Sequence, residues 1–142
     1  MTRLLCGAAL FALALGLAGC KKQKPPKAST PEAPAASVKA GDLLNEYSAN
    51  ALAADGKYKG KVIQVSGKFG SVQKMVLVGY VLQLVSEDGG DLNTSMIQCV
   101  LPEDAQAAAA QLKPGQKVTV QGTCEGQAIP GQIRMSQCRV AQ

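Results

Sequence analysis

The stretch KVIQVSGKF, residues 61–69, decides the fold. Its apolar positions alternate with polar ones, which is the period of a strand with one buried face. Ile63, Val65 and Phe69 share that face with Gly67. A glycine on the inward side of a strand marks a bend, and small closed barrels need such bends. The stretch therefore predicts a bent, half-buried strand that begins a barrel.

Four further strands follow, and glycine, proline or acidic turn residues separate them. They are predicted over residues 79–85, 94–101, 117–124 and 132–140. Between the third and fourth strands, PEDAQAAAAQL (residues 102–112) has the proline, acids and alanines of a short helix. Three strands, a helix and two strands is the order of a five-stranded OB-fold barrel. The alternative is a β-sandwich fragment, which does not need that helix.

A helix is also predicted before the first strand. Asp42 is placed to cap its start, and Asp55-Gly56 ends it. Four residues recur on one helical face between them: Leu43, Tyr47, Ala51 and Ala54. We therefore place the OB-fold domain, mostly β with this N-terminal helix, at residues 41–142, which is enough chain for one core.

The first 40 residues have the composition of an export leader followed by a tether. A positive start, an apolar run over residues 4–17 and small residues before Cys20 are the parts of a signal peptide. The run is short for a membrane span, which needs roughly 20 residues. Residues 21–40 are rich in lysine and proline and cannot bury a core. We expect a signal peptide over residues 1–19 and a disordered tether over residues 20–40.

The tetrapeptide Leu17-Ala18-Gly19-Cys20 resembles the lipobox of bacterial lipoproteins. The resemblance implies that Cys20 receives a diacylglycerol and becomes the mature amino end. A second acyl group, such as palmitate, makes such an anchor firm. Lys21 follows, and it is not the aspartate that retains enteric lipoproteins on the inner membrane. The resemblance thus implies an outer-membrane lipoprotein that faces the periplasm. The alternative is an uncleaved anchor helix.

Charge separates the tether from the domain. The whole chain has a formal net charge of +5, yet residues 41–142 hold nine basic and nine acidic residues. A domain without net charge lacks the broad basic surface of nucleic-acid binders, so we expect no nucleic-acid partner. The tether lysines either lie on anionic headgroups or keep the spacer solvated. Lys57, Lys59 and Lys61 form either a small anion-binding strip or a solubilising edge.

Three segments resemble the tRNA-anti-like OB-fold family. They are EYSANALAADGKYKGKVIQVSGKF (residues 46–69), LKPGQKVTVQGTCEG (residues 112–126) and MSQCRV (residues 135–140). The resemblance covers nearly all of residues 41–142. It implies a small bacterial envelope protein whose fold is similar to that of anticodon-binding domains. It does not imply RNA binding, and it brings no settled activity.

The domain has three cysteines, and in an exported protein they are able to oxidise. Cys124 and Cys138 lie symmetrically about a turn at Pro130-Gly131, so we predict a cross-strand disulfide between them. The side-chain parity of the last strand then requires a bulge near Ser136-Gln137. A Cys99–Cys138 bridge is the alternative, because the third and fifth strands are neighbours in an OB barrel. Without it, Cys99 is expected to be a buried, inert thiol.

The sequence carries no catalytic constellation. It has no histidine, which is the commonest general base and metal ligand. Its cysteines lack the C-x-x-C spacing of zinc and thiol-redox sites. The acidic turn with Glu87, Asp88 and Asp91 fits no calcium loop. We therefore expect a protein that is not an enzyme and that holds no metal or cofactor.

Ligand contacts are expected where OB barrels bind, across the second and third strands. There the sequence offers four candidate ligand-binding residues: Lys74, Tyr80, Gln83 and Gln98. Phe69 and Tyr80 are the aromatic residues placed for stacking, and single-strand binders use several. We expect a non-enzymatic envelope lipoprotein that binds a protein, a glycan or a small ligand. The alternative is a nucleic-acid-binding OB module.

Overall fold

The structure, a computed structural model, describes residues 33–88 and 95–141. Its elements, in chain order, are β1 Ala36–Lys39, α1 Ala40–Ala49, α2 Ala51–Tyr58, β2 Val62–Met75, β3 Gly79–Val85, β4 Met96–Val100, a 3₁₀ turn Glu103–Ala105, α3 Gln106–Ala109, β5 Lys117–Ile129 and β6 Gln132–Ala141. The fold is mostly β, as predicted. The predicted leader, the lipidation site Cys20 and most of the tether lie outside the described residues.

The six strands form one sheet in the order β1-β2-β3-β4-β6-β5, and a further pairing joins β5 back to β2. β2 closes this ring because residues 62–68 pair with β5 and residues 68–75 pair with β3. The sheet has one strand more than the five predicted. The extra strand, β1, pairs in parallel with residues 63–66 of β2 and lies in the segment predicted as tether. β1 and the first residue of α1 lie before residue 41.

β2 changes partner near Gly67. A Cβ there would lie 2.7 Å from the carbonyl oxygen of Val85 and 2.9 Å from the Cβ of Ala40. Glycine therefore lets the start of α1 and the end of β3 close over the strand. A bulge between Phe69 and Ser71 adds to the bend. The close approach at Gly67 and the bulge lie in the strand for which the sequence predicts a bend.

Two helices stand where one is predicted. α1 ends at Ala49 and α2 begins at Ala51, because Asn50 between them has an extended backbone with φ −160° and ψ 93°. The Asn50 side chain accepts a hydrogen bond from the Ala53 amide at 3.1 Å and so caps α2. α2 ends at Tyr58, beyond the glycine predicted to stop it. Neither helix, nor any other in the described residues, is long and apolar enough to cross a bilayer.

The core fills the ring and the space beneath the helices. Its buried side chains come from α1 and from each strand of the ring. Among the largest fully buried side chains are Leu43, Tyr47, Ile63, Leu82, Leu84, Ile97, Ile133 and Met135. Leu43 and Tyr47 come from α1, and the strand residues among them lie at the inward positions of their strands. Truncating a leucine to alanine in such a core costs about 2–5 kcal/mol.

β6 changes its inward side part-way along. Ile133 and Met135 are buried before the change, and Cys138 is buried after it. Gln137 at the change has φ 52°, and the register with β5 shifts at the same place. A left-handed residue within a shifted ladder marks a bulge. The bulge predicted near Ser136-Gln137 is confirmed.

Candidate ligand-binding face

Gln83 on β3 and Gln98 on β4 lie directly opposite each other in the sheet. Leu82, Leu84 and Ile97 beside them point into the core, so the two glutamines face outward. Both glutamines are half-buried, which leaves part of each side chain accessible. The structure therefore brings together two of the four residues predicted to bind a ligand.

The two amides belong to a longer polar row. Ser71 Oγ on β2 donates a hydrogen bond to Gln83 Oε1 at 3.0 Å. Gln98 Nε2 donates to Gln132 Oε1 on β6, also at 3.0 Å. The row crosses four neighbouring strands: β2, β3, β4 and β6. Each glutamine keeps further hydrogen-bonding capacity, because its amide has two donor hydrogens and an oxygen with two lone pairs.

The charged groups on this face are basic. Arg134 lies opposite Gln98 in the parallel pairing of β4 with β6. Lys68 lies opposite Val85 at the other side of the face. The outward positions of β3, of β4 and of residues 132–134 include no acid. The face therefore suits a neutral or an anionic ligand.

Lys74 and Tyr80 form a separate pair at the hairpin between β2 and β3. They lie opposite each other in the register, and Lys74 Nζ lies 5.8 Å from the centroid of the Tyr80 ring. Along β3, Tyr80 shares the parity of Leu82 and has the opposite parity to Gln83. The four predicted residues therefore form two pairs on opposite faces, and not one site.

Tyr80 borders a groove of about 340 Å³ between the hairpin and α3. The groove is lined by Val72, Tyr80, Leu101, Gln106, Ala107 and Ala110. Tyr80 is 37% exposed, whereas Tyr47, Tyr58 and Phe69 are at most 5% exposed. It is thus the one exposed aromatic ring in the part of the chain that the structure describes. Phe69, the other predicted stacking residue, belongs to the core.

Glu46 and Lys57 tie the two helices together. Lys57 Nζ lies 2.9 Å from both carboxylate oxygens of Glu46, and Tyr58 OH donates to Glu46 Oε1 at 3.0 Å. The hydrogen bond from Lys57 holds the pKa of Glu46 below its ordinary value, and the same bond raises the pKa of Lys57 to about 12. A cavity of about 800 Å³ beside β1 has this pair in its wall, where the two charges already neutralise each other.

Lys59 and Lys61 are engaged in the same region. Lys59 Nζ pairs with Asp55 Oδ2 at 3.3 Å, and Lys61 Nζ donates to the carbonyl of Lys57 at 2.6 Å. Lys57 lies in α2 and Lys59 caps its end, so the three lysines do not alternate along a strand. They bind groups of the helical segment instead of forming the anion-binding strip considered from the sequence.

Tyr47 and Asp55 link the helices to β5. Tyr47 OH donates to Asp55 Oδ1 at 3.1 Å and lies 3.6 Å from Cys124 Sγ. Burial, followed by the thiol and the carboxylate, raises the pKa of Tyr47 well above its ordinary value, so the ring stays protonated. Gly126 has φ 94°, and a Cβ there would lie 2.5 Å from Asp55 Oδ1. The glycine therefore makes room for the carboxylate.

Cys99, Cys124 and Cys138 are buried free thiols. Cys124 lies opposite Met135 in the register, while Cys138 approaches Gly122, whose Cβ would lie 2.7 Å from its sulfur. A hydrogen bond with Cys99, followed by burial, raises the pKa of the Cys138 thiol well above its ordinary value. The predicted Cys124–Cys138 bridge is not formed here, and Cys99 is the thiol in contact with Cys138. The pairing in an oxidised protein stays a prediction.

No cluster of three or more potential metal ligands occurs within residues 33–88 and 95–141. Glu87 of the acidic turn instead pairs with Lys117 Nζ at 3.4 Å. Asp91 of the same turn lies outside the described residues.

Sequence reasoning missed two features of the surface. Residues 75–78 form an apolar hairpin tip, in which Val76 is 100% and Leu77 is 95% exposed. The sequence contains a sign of this tip, because four apolar residues in succession depart from the alternation of the strand before them. Ser71 and Gln132, which complete the polar row, were also missed. They meet the glutamines only through strand pairing.

A closed ring of strands with a polar row on its outer face defines a small OB-like binding module. The tRNA_anti-like family model matches residues 4–139, and the chain belongs to this family. The family resemblance found in the sequence is thereby confirmed. No curated protein matches the chain.

Solved structures with similar folds come from proteins of different kinds. A lipoprotein from Klebsiella pneumoniae, a candidate nucleic acid-binding protein, is 15% identical with a TM-score of 0.63, over 75% of this chain and 91% of that chain. A candidate aspartyl-tRNA synthetase from Leishmania major is 9% identical with a TM-score of 0.49, over 80% and 22% of the two chains. OBody AM3L09, bound to hen egg-white lysozyme, is 16% identical with a TM-score of 0.45, over 67% and 92%. At such identities the likeness to the Klebsiella structure shows the fold alone, which is OB-like.

Proposed function

We propose that this chain is a lipid-anchored binding protein of the bacterial envelope and that its ligand binds to the outer face of β3 and β4. The ligand is a protein, a glycan or a small polar molecule, and Gln83 and Gln98 contact it. The observation that carries the proposal is the polar row across four strands, which consists of two hydrogen-bonded pairs, Ser71 with Gln83 and Gln98 with Gln132. The protein performs no chemistry on the ligand, in keeping with a family of binding modules and a chain without histidine.

The amide row suits a ligand with neutral hydrogen-bonding groups. A glutamine side chain donates and accepts, so it matches peptide groups and sugar hydroxyls equally. Ser71 and Gln132 orient Gln83 and Gln98 before any ligand arrives. Prior ordering of this kind lowers the entropy that binding costs, which is about 0.5–1.5 kcal/mol for each immobilised side chain.

The membrane anchor in this proposal comes from the sequence. Residues 1–19 are the signal peptide that is removed, and Cys20 is the lipidated amino end of the mature chain. A Klebsiella lipoprotein with a similar fold supports this assignment. Lys21 after the lipidated cysteine favours the outer membrane, with the domain facing the periplasm.

Single-stranded nucleic acid is a second candidate ligand. Arg134 and Lys68 make the amide face basic, and the Klebsiella lipoprotein is a candidate nucleic acid-binding protein. Export and the balanced charge of residues 41–142 favour the first proposal over this one. Tyr80 also favours the first proposal, because one exposed aromatic ring among the described residues is a poor platform for stacked bases.

Photocrosslinking in living cells tests the first proposal. The full chain carries a photoreactive phenylalanine in place of Gln98, and the matched control carries it in place of Leu52, which is 85% exposed on α2. We expect a specific adduct from position 98 and none from position 52. Mass spectrometry of the adduct separates a protein or glycan from nucleic acid. Equal yields from both positions would sink the proposal, and a nucleic-acid adduct would establish the second candidate.

A further inference from the structure

The turn between β2 and β3 exposes four apolar side chains in a row. Val76 is 100% and Leu77 is 95% exposed, and Met75 and Val78 are 42% and 37% exposed. The two strands pair as far as Met75 and Gly79, so these side chains stand at the end of the hairpin. We call residues 75–78 the apolar tip.

The exposed apolar side chains of the tip indicate a surface that binds an apolar partner. Adjacent large apolar side chains lose free energy when they are removed from water, and soluble surfaces seldom present them together. Leu52 on α2 and Ile129 at the end of β5 are also exposed, but neither lies beside another large exposed hydrophobic residue. Single exposed residues of that kind are ordinary.

The chain around the apolar tip carries basic charge. Residues 62–86, which include both strands of the hairpin, contain two lysines and no acid. Lys74 adjoins the tip and lies over the ring of Tyr80. Lys68 lies on the same strand, further from the tip. Glu103 on the 3₁₀ turn is the acid that shares a cavity wall with Lys74. The hairpin itself is therefore apolar at its end and cationic behind it.

We propose that the apolar tip inserts into a lipid bilayer and docks the domain on the membrane. Val76 and Leu77 enter the boundary between headgroups and acyl chains. Lys74 and Tyr80 form a collar at the level of the headgroups. A lysine extends its apolar stem along the lipid and leaves its ammonium group at the phosphates, and tyrosine rings favour the same depth.

A bilayer suits the shape of the tip better than a protein does. The tip is a narrow convex turn, and a stable protein interface buries about 800 Å² on each partner. Four side chains do not present that area. A bilayer needs no complementary groove, and anionic headgroups match the lysines behind the tip.

The anchor brings the tip to the membrane, and in this respect the inference rests on the proposed function. The chain from residue 20 to residue 36 spans at most about 55 Å when fully extended. A domain of 100 residues has a radius of gyration of about 13 Å, so such a tether lets the hairpin reach the lipid surface. Tethering also raises the effective concentration of the bilayer, which makes a weak insertion effective.

Tryptophan fluorescence tests the inference, because the chain has no tryptophan of its own. Leu77→Trp places the probe at the tip, and Leu52→Trp is the matched control on another exposed leucine. Both variants are made in the full lipidated chain and reconstituted into vesicles of phosphatidylethanolamine and phosphatidylglycerol. The acyl chains are brominated in one of two preparations, since bromine quenches tryptophan on contact.

We expect brominated lipid to quench the Leu77→Trp variant about two-fold or more and to leave the control unchanged, because only the tip enters the acyl boundary. The emission of the tip variant also moves to shorter wavelength on reconstitution. Equal quenching of both variants, or of neither, overturns the inference. A tip probe that is shielded in detergent yet not quenched by bromine means that a protein covers it, which also overturns the inference.

Different results would refute the lipid anchor and the insertion of the tip. A mature chain without a fatty acid refutes the anchor, and the quenching assay with added vesicles still decides whether the tip inserts. Replacing phosphatidylglycerol with phosphatidylcholine removes the attraction to Lys74 and should weaken the quenching of Leu77→Trp. Quenching that does not respond to lipid charge contradicts the cationic collar.

Discussion

Gly67 leaves no room for a side chain, since a Cβ would lie 2.7 Å from the carbonyl oxygen of Val85 and 2.9 Å from the Cβ of Ala40. We expect Gly67→Ala to lower the free energy of unfolding by about 1–3 kcal/mol. Gly56→Ala is the control, because a Cβ there meets nothing within 4 Å in a helix. Alanine should stabilise that helix by about 0.5–1 kcal/mol. Urea denaturation of the full chain measures the stability of both variants. If Gly67→Ala is as stable as the original protein, the tight packing at Gly67 is contradicted.

The three thiols of the domain should be unreactive while the reduced protein is folded. Cys99, Cys124 and Cys138 are 0% exposed. Burial raises the pKa of Cys124, and the contact with Cys99 followed by burial raises the pKa of Cys138. A raised pKa keeps the thiol protonated near neutral pH, and the thiolate is the form that reacts. An aromatic disulfide reagent should modify these thiols only in urea; rapid modification of the native protein would be the contrary result.

The cysteines also show where reasoning from sequence symmetry stops. The turn at Pro130-Gly131 is correctly placed, and the parity argument correctly requires a bulge. The register with β5 also shifts twice nearer the turn, between Ile129 and Gln127 and between Gly126 and Cys124, and these shifts set Cys124 opposite Met135. Cys138 therefore approaches Gly122 and not Cys124. One extra residue in a strand is enough to change the neighbour of every side chain beyond it.

The ion pair between α1 and α2 predicts how stability depends on pH. Lys57 holds the pKa of Glu46 below its ordinary value of 4.5. A group whose folded pKa is lowered contributes stability that is present above the unfolded pKa and lost as pH falls through the folded pKa. Glu46→Gln should therefore lower the free energy of unfolding near neutral pH, and the difference should vanish well below pH 4.5. The effect is small, because the side chains of Lys57 and Glu46 are 58% and 39% exposed and water screens the pair.

Urea denaturation near pH 7 and near pH 3 checks this dependence. Glu125→Gln is the matched control, because Glu125 is an exposed acid of β5. A stability difference for Glu46→Gln that is the same at both pH values contradicts the assigned role of the ion pair.

The elements differ in how far local sequence could predict them. β3 is found at the predicted residues because a glycine begins it and a polar, acidic turn follows it. β2 and β5 run further than predicted, to Met75 and Ile129, because their outer ends are exposed and held by pairing alone. β1 has the composition of the tether, and only its pairing with β2 makes it a strand. Such pairing is a tertiary contact that no local pattern reveals.

Across the molecule, the residues that identify the family mainly build the fold. The helical segment is held by Glu46, Tyr47, Asn50, Asp55 and Lys57 through capping and hydrogen bonds. None of them lies on the amide face. Family membership therefore specifies the architecture and leaves the ligand open.

The candidate site was predictable in part. Gln83 and Gln98 could be placed because they occupy outward positions on the two strands that OB barrels use for binding. Lys74 and Tyr80 do not join them, since parity along β3 puts Tyr80 on the other face. Arg134 and Gln132 join the face only because β6 runs parallel to β4, which is a long-range pairing.

The distribution of photocrosslinks over the surface tests the central claim most directly. The photoreactive phenylalanine replaces Gln83, Gln98 and Gln132 on the face, and Leu52 and Gln111 elsewhere, one position at a time in the full chain. The account predicts that the same adduct forms from the three face positions and from neither of the others. Adducts from Leu52 or Gln111 with none from the amide row would contradict it.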